Sequence, residues 1–187
     1  MESRTGTVRG EGPDWSPAAF EAVFLEHYAR TVGLLHRILG DRARAEEIAS
    51  DAFLKLYQQP SAPDLYQNVG GWLYRTASRM GIDALRAANR RRAREPEAGE
   101  RLAGASAVAG PLEDVLRAER AGNVREALAK LKPVQAQVLT LRACGLSYKE
   151  LAGSLGVQPG SVGQLLARAE VAFEKAYRRL ENRPRHG

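Results

Sequence analysis

The sequence predicts an all-α protein of two small helical units joined by a flexible linker, and three observations carry that prediction. Apolar residues recur at helical spacing in segment after segment, with no convincing alternating run of a strand. Capping residues, prolines and glycines fall where helices should start and stop. Residues 95–111 are rich in Ala, Gly and Glu and show little periodicity, which divides the chain into a first unit at 16–94 and a second at 112–187, the second a helix-turn-helix.

Residues 1–15 are polar and Gly-rich and read as a flexible tail. Ser16 followed by Pro17 starts the first helix: a hydroxyl that caps, then a residue whose missing N–H costs nothing at the first position. Phe20, Val23, Phe24, His27, Tyr28, Val32, Leu35 and Leu39 share one face, and Gly40 closes the helix. Asp41 caps a second helix whose buried stripe is Ala45, Ile48, Ala52, Phe53 and Leu56, and whose outer face carries Glu46, Glu47, Ser50, Asp51 and Lys55. Gln58 to Gly71 then reads as a loop of about fourteen residues, long enough to suggest a role. A third helix is expected from about Gly71 to Arg92, with Leu73, Ala77, Met80, Ala84 and Ala88 inward.

In the second unit, Leu112, Val115, Leu116, Val124, Leu128 and Leu131 are spaced as a helix, and Pro133 starts another that Gly145 ends. Ser147 and Glu150 form the two halves of a capping box for a short helix ending near Leu155 and Gly156. A last helix spans about Gly160 to Glu181, with Val162, Leu165, Leu166, Ala169, Phe173, Ala176 and Leu180 inward.

Composition narrows the function. The chain of 187 residues carries a formal charge of +6, and the segment Trp72–Arg94 alone holds seven arginines against one acid, Asp83, which accounts for the whole excess. The basicity is therefore a local patch suited to a polyanion. The single cysteine, Cys144, excludes an intramolecular disulfide and a cysteine-rich zinc site, and His27, His36 and His186 lack ligand spacing, so neither metal nor cofactor is expected. No apolar run reads as a membrane span or signal peptide, which fits a cytoplasmic protein without stable membrane insertion. Gly-rich phosphate loops, paired-histidine motifs and nucleophile elbows are missing, so the chain is not expected to be an enzyme.

Two constellations point to nucleic acid. Leu146 to Arg168 has the capped short helix, glycine turn and longer helix of a helix-turn-helix, whose projecting helix fits the major groove. A plain αα-hairpin carries the same pattern. On the outward side of its second helix and of the turn before it lie Gln158, Ser161, Gln164 and Arg168. The third helix sets Arg75, Arg79, Arg86 and Arg90 beside Trp72 and Tyr74, a pairing of cations and rings suited to strands that are melting, although a solvated charged face and a core tryptophan fit too.

In this order, the segments resemble the extracytoplasmic-function group of the bacterial sigma-70 family. The motifs are Ala45-Glu46-Glu47-Ile48 with Phe53 to Tyr57, Trp72-Leu73-Tyr74-Arg75 with Ile82 to Arg86, and Leu146 to Ala152 followed by Leu155-Gly156-Val157, Gly160-Ser161-Val162 and Arg168-Ala169. The resemblance implies a sigma factor that binds core RNA polymerase and directs promoter recognition, opening and transcription initiation. It assigns Glu46, Glu47, Ser50, Asp51 and Lys55 to the polymerase clamp, with a further contact at the flap. It assigns Trp72, Tyr74, Arg75, Arg79, Arg86 and Arg90 to the minus-ten element, and Gln158, Ser161, Gln164 and Arg168 to the minus-thirty-five element. It also implies an anti-sigma factor as a partner, and a pocket for a flipped base in the loop from Gln58 to Gly71. The chain departs from the family pattern at Arg79, where Asn is frequent, and in a reading helix poor in Lys and Arg around Gly163-Gln164-Leu165, which implies weak DNA binding by the second unit alone. A stand-alone helix-turn-helix regulator and a polymerase-binding decoy are the competing readings; the acidic second helix argues against the first. The linker of seventeen residues spans at most roughly 60 Å, enough for two readers on one face of DNA a turn apart.

Overall fold

The computed structural model describes residues 16–58, 68–94 and 112–182, with side chains from 115 onward in the last segment. The expected tail, most of the expected loop and the linker lie outside the described residues. Seven α-helices and one 3-10 turn make up the described chain, and it contains no strand: α1 Pro17–Leu39, α2 Arg42–Tyr57, α3 Val69–Arg94, α4 Leu112–Lys130, α5 Pro133–Ala143, α6 Tyr148–Leu155, the turn Pro159–Ser161, and α7 Val162–Glu181.

Local chemistry sets the boundaries. Ser16 Oγ accepts from the Ala19 N–H at 3.2 Å, and Gly40 ends α1 in the left-handed region at φ 73°, its N–H donating to the His36 carbonyl. Asp41 then caps α2 by accepting from the Arg44 N–H at 3.0 Å. The connection is so short that α1 and α2 pack as a helical hairpin. Phe20, Phe24 and Tyr28 of α1 interlock there with Phe53 of α2, the Phe24 and Phe53 rings being 5.0 Å apart.

Helix α3 departs from expectation at its start and in its stripe. It begins at Val69, because the Asn68 side chain accepts from the Gly71 N–H at 2.7 Å and turns both glycines into the first helical turn. Its buried line is Leu73, Tyr74, Ala77, Ser78, Gly81, Ile82 and Leu85, with Met80 and Ala84 only half-buried. Gly81 is the reason for the rotation: a Cβ there would stand 2.8 Å from Leu35 Cδ2, so the bare backbone lets α1 close onto that face. In α4 the inward set shrinks to Ala127 and Leu128, followed by Leu131; Val115, Leu116 and Val124, expected inside, are exposed because the core begins only at the last turns of the helix.

The two units do not stand apart. Buried residues of both form one continuous core, from Val32 and Leu35 through Ile82 and Leu85 to Leu128, Val138, Leu151 and Leu166. Helix α3 is the common spine, packing on α1 and α2 on one side and on α4, α5 and α6 on the other.

Candidate nucleic-acid and protein interfaces

The helix-turn-helix is built as its sequence requires. Ser147 Oγ accepts from the Glu150 N–H at 3.3 Å while Glu150 Oε2 accepts from the Ser147 N–H at 2.7 Å, so the start of α6 satisfies two backbone donors reciprocally. These bonds hold the Glu150 carboxyl below its ordinary value of 4.5, with Arg30 adding a smaller pull. Gly156 ends α6 in the left-handed region at φ 67°, and Val162, fully buried, anchors the start of α7. Gln158, Ser161, Gln164 and Arg168 are all exposed, on the face away from the core. That face is open to a groove, and it carries one cation among the four. Gly163 lies on the same helix; a Cβ there would meet Tyr148 only at 3.9 Å, an ordinary contact, so packing does not require glycine.

Helix α2 presents Glu47, Ser50, Asp51 and Lys55 to solvent, with Glu46 half-buried. Its acidity is partly cancelled within the helix: Arg42 Nε meets Glu46 Oε1 at 2.9 Å and Arg44 meets Glu47 at 2.5 Å. Ser50 Oγ is taken up by the Glu46 carbonyl. The contact residues singled out from the sequence omit two members of the quoted motif, Leu54 and Tyr57, which are 52% and 53% exposed and give the polar face an apolar edge. The signal was available in the spacing, since Ser50, Leu54 and Tyr57 follow one another at helical intervals outside the buried stripe.

The arginine-rich helix is only partly open. Arg79 and Arg90 are exposed, and Arg75 and Trp72 are half-buried. Tyr74 is 5% exposed and its hydroxyl lies 3.0 Å from His27 Nδ1, with the Arg30 guanidinium 5.0 Å from its ring centre. Burial raises its phenol above 10.0, and Arg30 opposes the shift. In this arrangement Tyr74 belongs to the core and has no free face. Arg86 is held too: its Nε donates to the Ala129 carbonyl at 3.1 Å and its Nη2 to the Leu131 carbonyl at 2.5 Å, so it closes the C-terminal end of α4 with a positive charge.

Further bonds cross between the units. Gln137 Nε2 donates to the Arg75 carbonyl at 3.2 Å and to Ser78 Oγ at 3.3 Å, and Arg37 Nη1 donates to the Ala143 carbonyl. Arg30 faces Glu150 at 4.0 Å. Cys144, half-buried nearby, has its thiol pushed up by burial, which makes it a poor nucleophile. Among the described residues no group of three or more His, Cys, Asp or Glu is placed to hold a metal, and no helix is long and apolar enough to cross a membrane.

Comparison with known proteins bears on these surfaces. Residues 23–91 match the family model described as sigma-70 region 2, and residues 121–172 the model described as sigma-70, region 4. The RNA polymerase sigma-H factor of Pseudomonas aeruginosa is 28% identical over 169 residues, covering 87% of this chain and 88% of that protein. The ECF RNA polymerase sigma factor SigW of Bacillus subtilis is 27% identical, covering 79% and 82%. SigE of Mycolicibacterium smegmatis, another ECF RNA polymerase sigma factor, is 26% identical over 84% of this chain, which spans only 61% of that protein. A solved structure of the sigma factor RpoE in complex with the anti-sigma factor NepR, from Bartonella quintana, is 16% identical, with a TM-score of 0.45 over 85% of this chain and 96% of that one. The two matched models, in chain order on the two helical units, and relatives that span most of the sequence show that the chain belongs to the extracytoplasmic-function group of the sigma-70 family.

Proposed function

We propose that the chain is a sigma factor that binds core RNA polymerase and directs promoter recognition, opening and transcription initiation, acting by assembly in the cytoplasm rather than by catalysis of its own. The observation that carries this is the coexistence, on one chain, of a capped helix-turn-helix with an open outer face and a separate exposed face on α2. A regulator that works alone needs the first and has no use for the second.

The parts divide as follows. The face of α2 formed by Glu46, Glu47, Ser50, Asp51 and Lys55, extended by Leu54 and Tyr57, docks on the polymerase clamp. The second unit faces the flap and the minus-thirty-five element, with Gln158, Ser161, Gln164 and Arg168 toward the groove. On α3, Arg75, Arg79, Arg86 and Arg90 meet the phosphates of the minus-ten element, with Trp72 beside the opened strand. Tyr74 serves that strand only if α3 first loses its neighbours; otherwise it braces the core. An anti-sigma factor competes for the same surfaces. Because Arg86 is engaged at the end of α4, the two units separate on their linker when the factor takes up promoter DNA.

Run-off transcription with purified core polymerase tests this reading. Wild-type chain is expected to yield discrete transcripts from particular promoters. Reversing the charge at Glu47 and Asp51 together should reduce co-purification with core at least roughly tenfold, because two attractive rim charges on this chain's side become repulsive ones. Undiminished binding to core by that variant would show that α2 is not the docking face. Binding to core without any transcript would favour the decoy reading, which the scarcity of cations on the reading face supports.

A further inference from the structure

A cleft of about 1040 Å³ lies between the C-terminal halves of α3 and α4 and ends against the corner where α1 meets α2. Its charged lining is strongly one-sided: Arg44 from α2, Arg90, Arg91 and Arg92 from α3, and Arg125 and Lys130 from α4 converge on it, with Arg86 at its wall and only Asp41 and Glu126 as acids. Both acids are engaged, Asp41 in capping α2 and Glu126 with Lys130 at 2.8 Å. Arg86 is spent on carbonyls and Arg44 on Glu47. Arg90, Arg91, Arg92 and Arg125 have no carboxylate at ion-pair distance among the described residues.

Arg125 is the informative member. It is half-buried, and its guanidinium lies across the end of α1 where Gly40 has no side chain; a Cβ there would come within 2.7 Å of Nη1. Burial and the neighbouring Arg92 both disfavour its charge. Two guanidinium groups that line one recess with no counter-ion among the described residues repel each other, and an anion between them converts that repulsion into two forks of charge-assisted hydrogen bonds.

The geometry points to a binding site for a compact polyphosphate, such as the triphosphate of a nucleotide, held between the exposed Arg92 of α3 and the half-buried Arg125 of α4, with Arg90 and Arg91 also lining the cleft. About four negative charges on one small group match four guanidinium groups that have no carboxylate partner among the described residues. An acidic peptide spreads its carboxylates at about 3.3–3.6 Å per residue and suits an extended groove better than a recess. The phosphates of a duplex lie on a convex surface and cannot enter between two helices. Leu39, Ala84, Leu85 and Ala88 add an apolar side that accepts a base. A ligand held by α3 and α4 together bonds to both units at once, so it favours the docked arrangement over the separated one. It also occupies Arg90, and so competes with promoter phosphate.

The test is calorimetric titration of the full chain with inorganic triphosphate and with ATP, at low and at physiological salt. One saturable site per chain is expected. Arg125→Ala and Arg92→Ala should each weaken binding at least about tenfold, Arg125→Lys should recover part of that loss, and Arg178→Ala, an equal loss of charge on the exposed side of α7, should change it less than about twofold. Tighter binding of ATP than of inorganic triphosphate assigns the cleft to a nucleotide, and equal affinity to free polyphosphate. Absence of saturable binding overturns the site, and so does an equal loss in the Arg178 variant, which would reduce the effect to diffuse positive charge.

Discussion

At the scale of single residues, the second unit contains one polar atom that is out of place. Ser154 is 1% exposed, and its hydroxyl is the one buried side-chain oxygen or nitrogen without a hydrogen-bond partner among the described residues. An unsatisfied buried hydroxyl costs about 1–3 kcal/mol, and removing it leaves only a small void. Ser154→Ala is therefore expected to stabilise the chain by about 1 kcal/mol in urea unfolding, with an unchanged slope. A loss of stability of the same size would reveal a partner, such as an enclosed water. Nothing in the sequence marked Ser154, because a serine two residues before a helix-ending glycine reads as an ordinary surface position. Tyr74 misleads in the opposite direction: beside Trp72 and Arg75 it reads as a ring for bases, yet His27, forty-seven positions earlier, takes its hydroxyl. Contacts that distant leave no trace in local spacing.

The elements were more legible than the residues. Caps at Ser16, Asp41 and Ser147 and stops at Gly40 and Gly156 stand where side-chain chemistry puts them, because each depends on atoms within three or four positions. The start of α3 was misplaced by the paired glycines, which look like a turn until Asn68 is recognised as their cap. The capping box of α6 also makes a pH-dependent claim. Glu150 has a folded pKa held below 4.5, so its contribution is complete above that value and is lost as pH falls through the lowered folded value. Glu150→Gln keeps the reciprocal bond and removes the titration. The variant should thus show a flatter fall in stability below about pH 4.5 than the wild type, while the two run parallel near neutrality. Parallel curves throughout would mean that the box does not sense the charge.

For the whole molecule, the helices on either side of residues 95–111 could be read from periodicity, and their docking could not. A hydrophobic stripe says that a face is buried and leaves its partner unnamed; α3 is buried on two sides, one for each unit. Gln137 is the clearest case, a polar side chain 9% exposed whose bonds both end on α3. Gln137→Ala removes two hydrogen bonds, worth about 1–3 kcal/mol together, a shift toward separated units of between roughly fivefold and 150-fold. The distance between fluorescent labels on α2 and α7 should lengthen and broaden in the variant, and transcription at limiting core polymerase should rise if docking restrains promoter uptake. An unchanged distance distribution would mean that the apolar contacts alone hold the units together.

The bonds between the units share a grammar with consequences for how such a factor diversifies. Arg37, Arg86 and Gln137 each reach across to a main-chain carbonyl, at Ala143, at Ala129 and Leu131, and at Arg75. A carbonyl is the same whatever side chain follows it. Arg75, which we assign to promoter phosphates, can be exchanged during divergence toward another promoter without removing the carbonyl that Gln137 uses, whereas Leu131 is also fixed by its place in the core. Apart from the Gln137–Ser78 and Arg30–Glu150 pairs, the polar bonds of the closed form rest on three donor side chains, while their acceptors are supplied by the backbone of any sequence that keeps its helices. Promoter preference and closure can evolve separately, although both are written on α3.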